Sequence, residues 1–71
     1  MKYMEESILI HFGERVKSIR RLKGYSQEQL AERAHLHRTY IGMIERGEKN
    51  ITLKNIYRIA KGLDVEIKEL F

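Results

Sequence analysis

A chain of 71 residues with no cysteine has the size of one small domain, residues 1–71, and excludes both a disulfide-stapled scaffold and zinc sites built on thiolates. A chain this short buries only about 60% of its unfolded surface, so its core is marginal and dimerisation is a natural source of extra stability. The net charge of +4 suits a polyanionic partner, although modest basicity is also common without one. The apolar run from Ile8 to Phe12 is too short for a membrane span or the core of a signal peptide, so the chain reads as soluble and cytoplasmic.

The first element is a helix. Leu9, Phe12, Val16 and Ile19 recur at three- and four-residue steps and mark its apolar face. It ends near Gly24, with Arg21 and Lys23 at the negative end of its dipole. Its basic stretch, Arg15, Lys17, Arg20, Arg21 and Lys23, contains no acid. Ser26 followed by Gln29 is a capping box and opens a second, short helix with Leu30, Ala31 and Ala34 inward. A third helix runs from Arg38 to about Arg46, with Ile41 and Ile44 inward and Gly47 as its stop. Thr52 caps a fourth, whose apolar face is Leu53, Ile56, Ile59, Ala60 and Leu63. Val65, Ile67, Leu70 and Phe71 suggest a fifth, short helix. No segment sustains a period of two, so the fold class is all-α, with five helices in a compact domain.

The two middle helices are joined by so few residues that they must cross steeply, as in a helix-turn-helix. Their connection holds two of the chain's three histidines, His35 and His37. A tight turn of this kind needs one residue in the left-handed region, where histidine is among the tolerated non-glycine types; His35 occupies that place. His37 stands where an N-cap belongs, and a ring nitrogen can accept from a backbone N–H. The competing reading is a metal site. A His-x-His pair puts both rings on one face only in a strand, and the third histidine, His11, lies in another helix. Turn chemistry is therefore the preferred reading, with no metal and no cofactor.

Three stretches carry a resemblance: RVKSIRRLKGYSQEQLA from Arg15, RTYIGMIERG from Arg38, and ITLKNIYRIAKGLDVEIKELF from Ile51. In this order and spacing the chain from about Phe12 to Phe71 resembles the Cro/repressor-type (XRE-like) helix-turn-helix regulators. HRTYIGMIERGEKN, from His37, is most similar to the controller proteins of restriction–modification systems. The chain departs from the family where Ile51 replaces a frequent proline and where His35 stands for the turn glycine.

The resemblance implies a sequence-specific transcriptional regulator, acting as a repressor or an activator. It would bind a palindromic operator in double-stranded DNA as a homodimer. The third helix is expected in the major groove. Arg38 can pair with guanine, Thr39 offers a hydroxyl and a methyl, Tyr40 can stack or reach a phosphate, and Met43 can pack on a thymine methyl. Gln27 and Ser26 are the candidate phosphate contacts at the start of helix two, with Ser26 doubling as a cap. Arg46, Lys49 and Asn50 are candidate backbone contacts after helix three. Arg20 and Glu45 match a structural ion pair between helices one and three. Ile67, Leu70 and Phe71 crowd the last turn and are the candidate dimer interface, and RNA polymerase is a further candidate partner.

Two other classes compete. A phage-type repressor or an antitoxin could use the same fold, and an antitoxin would call for a partner-binding tail that these residues do not supply. An enzyme would need a phosphate-cradling glycine loop, a nucleophile motif or paired carboxylates in a cleft, none of which the sequence offers.

Overall fold

The computed structural model describes the backbone of residues 2–71 and the side chains from Ser7 onward; Met1 and the side chains of residues 2–6, Glu5 and Glu6 among them, lie outside that description. Four α-helices follow one another: α1 Lys2–Lys23, α2 Gln27–Ala34, α3 Arg38–Glu45 and α4 Leu53–Leu63, with a 3-10 turn at Ile67–Leu70. The expected fifth helix is this turn. Its bonds reach back only three residues, from Glu69 N–H to the Glu66 carbonyl and from Phe71 N–H to that of Lys68.

All four helices end in the same way. A left-handed residue follows, directly after α1, α2 and α4 and one residue later, beyond the right-handed Arg46, after α3; the next N–H then reaches back five residues, as Tyr25 does to Arg20, Leu36 to Ala31, Glu48 to Met43 and Val65 to Ala60. Glycine fills the left-handed place after α1 and α3, at Gly24 and Gly47, but His35 and Asp64 fill it after α2 and α4 with φ of 58° and 59°. Each of these two accepts backbone strain that glycine would avoid.

One cluster joins the helices. Phe12, Val16 and Ile19 of α1, Leu30, Ala31 and Ala34 of α2, Ile41 and Ile44 of α3, and Ile59, Ala60 and Leu63 of α4 are all buried in it, together with Leu70. Two expectations are corrected here. Leu53 was assigned to the apolar face of α4 but, at the first position of the helix, is 75% exposed. Leu70 was assigned to a dimer interface but is 0% exposed: the 3-10 turn folds it back into the core.

Close backbone approach sets α3 against α1. A Cβ at Gly13 would run into the Ile44 carbonyl oxygen and stand 2.9 Å from that of Glu45, so the first helix lies directly on the end of the third. Gly62 plays the same part between α4 and α2, where a Cβ would come within 3.1 Å of Ala34. These contacts fix the angle at which α3 stands out from the rest.

Candidate nucleic-acid interface

The turn between α2 and α3 is built by local chemistry. At the start of α2, Ser26 Oγ accepts from Gln29 N–H at 3.0 Å, and Gln29 Oε1 accepts from Ser26 N–H at 2.8 Å. After α2 the left-handed His35 reverses the chain. Two residues later His37 Nδ1 accepts from Thr39 N–H at 3.1 Å and caps α3. Both turn histidines are thus used, one for its backbone and one for its ring. Among the described residues no group of three or more His, Cys, Asp or Glu side chains could hold a metal ion.

α3 presents two faces. Ile41 and Ile44 point into the core. Thr39, Met43 and Arg46 are spaced by four and three residues and share the outward side, with Thr39 and Arg46 exposed and Met43 half-buried. Arg38 is exposed at the first position of the helix. Gly42 lies between Gln27 and Arg46: a Cβ there would stand 3.2 Å from Arg46 Nη1 and 3.8 Å from Gln27 Oε1, both flexible side-chain ends. The open strip along α3 therefore continues onto the start of α2. Lys49 and Asn50 follow the helix and are exposed.

The helix is anchored by a buried ion pair. Arg20 of α1 donates from Nε to Glu45 Oε2 at 2.6 Å and from Nη2 to Glu45 Oε1 at 3.0 Å. Its Nη1 donates to the Tyr25 carbonyl at 2.8 Å, so all three guanidinium nitrogens are engaged. Gln27 Nε2 adds a third donor to Glu45, at 3.0 Å. The carboxylate at the end of α3 is thus neutralised from behind, and its bidentate geometry fixes direction as well as charge. Gln27 joins this clamp to the outward strip. The sequence offered Gln27 as a candidate DNA contact; its hold on Glu45 was not legible there.

Two further residues were missed. Asn55, in the first turn of α4, donates from Nδ2 to the Tyr40 hydroxyl at 3.0 Å. Tyr57 is a 53% exposed aromatic on α4 and lines an apolar groove with Val65 and Ile67. Helical periodicity reports neither, since a polar residue near a cap and an aromatic one residue beyond an apolar position both read as ordinary surface. The candidate interface residues at the end of the chain separate. Ile67 lies in that groove, whereas Phe71 packs on Phe12 with ring centroids 5.2 Å apart.

A capped helix, a left-handed turn and a second helix standing outward with an exposed polar strip define a helix-turn-helix DNA-binding domain. Comparison with known proteins agrees: the helix-turn-helix family model matches residues 16–70. Control protein C.BamHI of Bacillus amyloliquefaciens is 48% identical over 68 residues, which cover 94% of this chain and 84% of that one. Control protein C.SmaI of Serratia marcescens is 49% identical over 58 residues, covering 82% and 69% of the two chains. The crystal structure of the restriction–modification controller protein C.AhdI from Aeromonas hydrophila superposes with a TM-score of 0.90 at 46% identity, covering 92% of this chain and 98% of that one. The chain belongs to the helix-turn-helix family and, within it, to the restriction–modification controller proteins. These are DNA-binding transcriptional regulators, not enzymes. Among the described residues no helix is long and apolar enough to cross a membrane.

Proposed function

We propose that the protein acts in the cytoplasm as a homodimer on a near-palindromic operator, with α3 of each copy in the major groove. The observation that carries this reading is the pairing of an outward strip, exposed at Arg38, Thr39 and Arg46 and half-buried at Met43, with a buried clamp that fixes the helix presenting it. Arg38 and Thr39 read base edges, Met43 meets a thymine methyl, and Tyr40 donates to the DNA. Gln27, Ser26, Arg46, Lys49 and Asn50 lie beside the phosphates and set register. Selection of bound sequences from a random DNA pool tests the reading. It predicts two inverted half-sites whose centres lie about 34 Å apart.

The dimer contact is assigned to the groove of Tyr57, Val65 and Ile67, flanked by Lys61, Lys68 and Glu66. An exposed aromatic beside two half-buried aliphatic residues supports it, since a small domain gains most by covering such a surface. Ile67→Asp is expected to give a monomer with greatly reduced operator affinity. A wild-type chain that sediments as a monomer at tens of micromolar would contradict the assignment. For transcription, Glu28 and Glu32 stand exposed on α2 and line a surface groove that reaches His37 and Arg38. They support a contact with a basic surface of RNA polymerase bound beside the operator.

A further inference from the structure

Tyr40 is gripped by groups outside its own helix. Its hydroxyl oxygen accepts from Asn55 Nδ2 at 3.0 Å, and Lys49 Nζ stands 5.7 Å from its ring centroid. Tyr40 is half-buried, while Arg38 and Thr39 beside it are exposed. Asn55 is itself fixed by the start of α4, where its N–H donates to Thr52 Oγ1 at 3.2 Å.

The orientation of the Asn55 amide gives this arrangement a direction. The two ends of an amide have nearly the same shape, and their partners decide which points where. Arg58 Nη1, which can only donate, faces Asn55 Oδ1 at 3.5 Å. A flipped amide would set its NH2 group against the guanidinium. Asn55 therefore keeps its oxygen toward Arg58 and its nitrogen toward Tyr40. The phenol oxygen accepts, and its single proton must be given elsewhere.

We propose that Asn55, oriented by Arg58, is a positioning residue that commits the Tyr40 hydroxyl to donating, so that Tyr40 selects an acceptor on the DNA. That acceptor is a phosphate oxygen or an acceptor on a base edge, such as guanine O6 or thymine O4. The inference rests on α3 being the DNA-facing helix. Without Asn55 the phenol rotates freely and can accept as readily as it donates, so the cytosine amino group, a donor, is no longer rejected.

The test uses the full chain and the duplex selected from a random pool, with each of its single-base variants. Tyr40→Phe is expected to weaken binding about threefold to tenfold for each recognition helix, the worth of one hydrogen bond. Asn55→Ala weakens it by no more than that, and the double variant is no worse than Tyr40→Phe, because Asn55 acts through the hydroxyl. Asn55→Gln, which keeps the amide but displaces it, gives the same pattern. In the free protein, the Asn55 side-chain NH2 resonances shift in Tyr40→Phe while the other amide signals stay in place. A loss confined to one base pair identifies a base acceptor and an equal loss on every sequence a phosphate; both support the proposal. A double variant whose loss is the sum of the two single losses overturns it, as do unmoved Asn55 NH2 resonances. If Tyr40→Phe binds normally while Arg38→Ala does not, this inference falls and the role of α3 stands. If both bind normally, both fall.

Discussion

Two arginine–glutamate pairs sit at the end of the same helix. Arg20–Glu45 is closed on both carboxylate oxygens, with the side chains 9% and 2% exposed. Arg46–Glu48 is a single contact at 3.1 Å, with the side chains 57% and 54% exposed. The chemistry is the same and the consequences differ. In water a pair contributes about 1 kcal/mol or less, since solvent screens it and two long side chains lose freedom. Out of water each partner becomes necessary to the other, because removing one leaves an uncompensated buried charge. The inner pair therefore fixes where α3 points. The outer pair holds Arg46 only loosely at the surface.

The difference is open to direct tests. Glu45→Ala is expected to destabilise the protein by about 3–5 kcal/mol even without DNA, against a total stability for a chain this size of roughly 4–10 kcal/mol. Thermal melts of Glu45→Ala, Arg20→Ala and the double variant check it; small, additive effects would mean that the pair holds nothing. Gln27→Ala removes only the third donor to Glu45, which Arg20 still satisfies, and should cost about 1 kcal/mol in the same melts. Its effect on DNA binding should exceed that cost, since Gln27 also faces the outward strip. Glu48→Ala should change stability by less than about 1 kcal/mol. It should also tighten binding and steepen the salt dependence by about one, as Arg46 is freed and a like charge is taken from beside the phosphates. A Glu48 variant that melted as early as Glu45→Ala would erase the distinction between the pairs.

What the sequence announced was local. Ser26 with Gln29, Thr52 and the glycines after α1 and α3 each act within a few residues, and so do His35 and His37 once a left-handed turn followed by a cap is required. The all-α class follows from periodicity alone. The misreadings share one cause. Leu53 and Leu70 are both apolar at plausible positions, but whether a neighbour covers them depends on elements distant in the chain. Leu53 is left exposed at the start of α4, and Leu70 is carried inward by a 3-10 turn. Asn55 was invisible for the same reason. Its partner Tyr40 is fifteen residues away, and only the packing of both α3 and α4 against α2 brings them together. Arg15 belongs to the basic stretch of α1, yet its guanidinium is engaged by the protein itself, donating to the Glu69 carbonyl.

The central claim is that the clamped helix reads bases from its first turn, and binding of Arg38→Ala tests it most directly. Affinities for the wild type and the variant should be measured at one salt concentration on the selected operator and on every single-base change in one half-site. The account predicts a loss of roughly 1–3 kcal/mol on the preferred sequence and a flattened preference at one base pair, where Arg38 paired with guanine. An equal loss on every sequence would reduce Arg38 to a phosphate contact, and unchanged binding would remove the first turn of α3 from the interface.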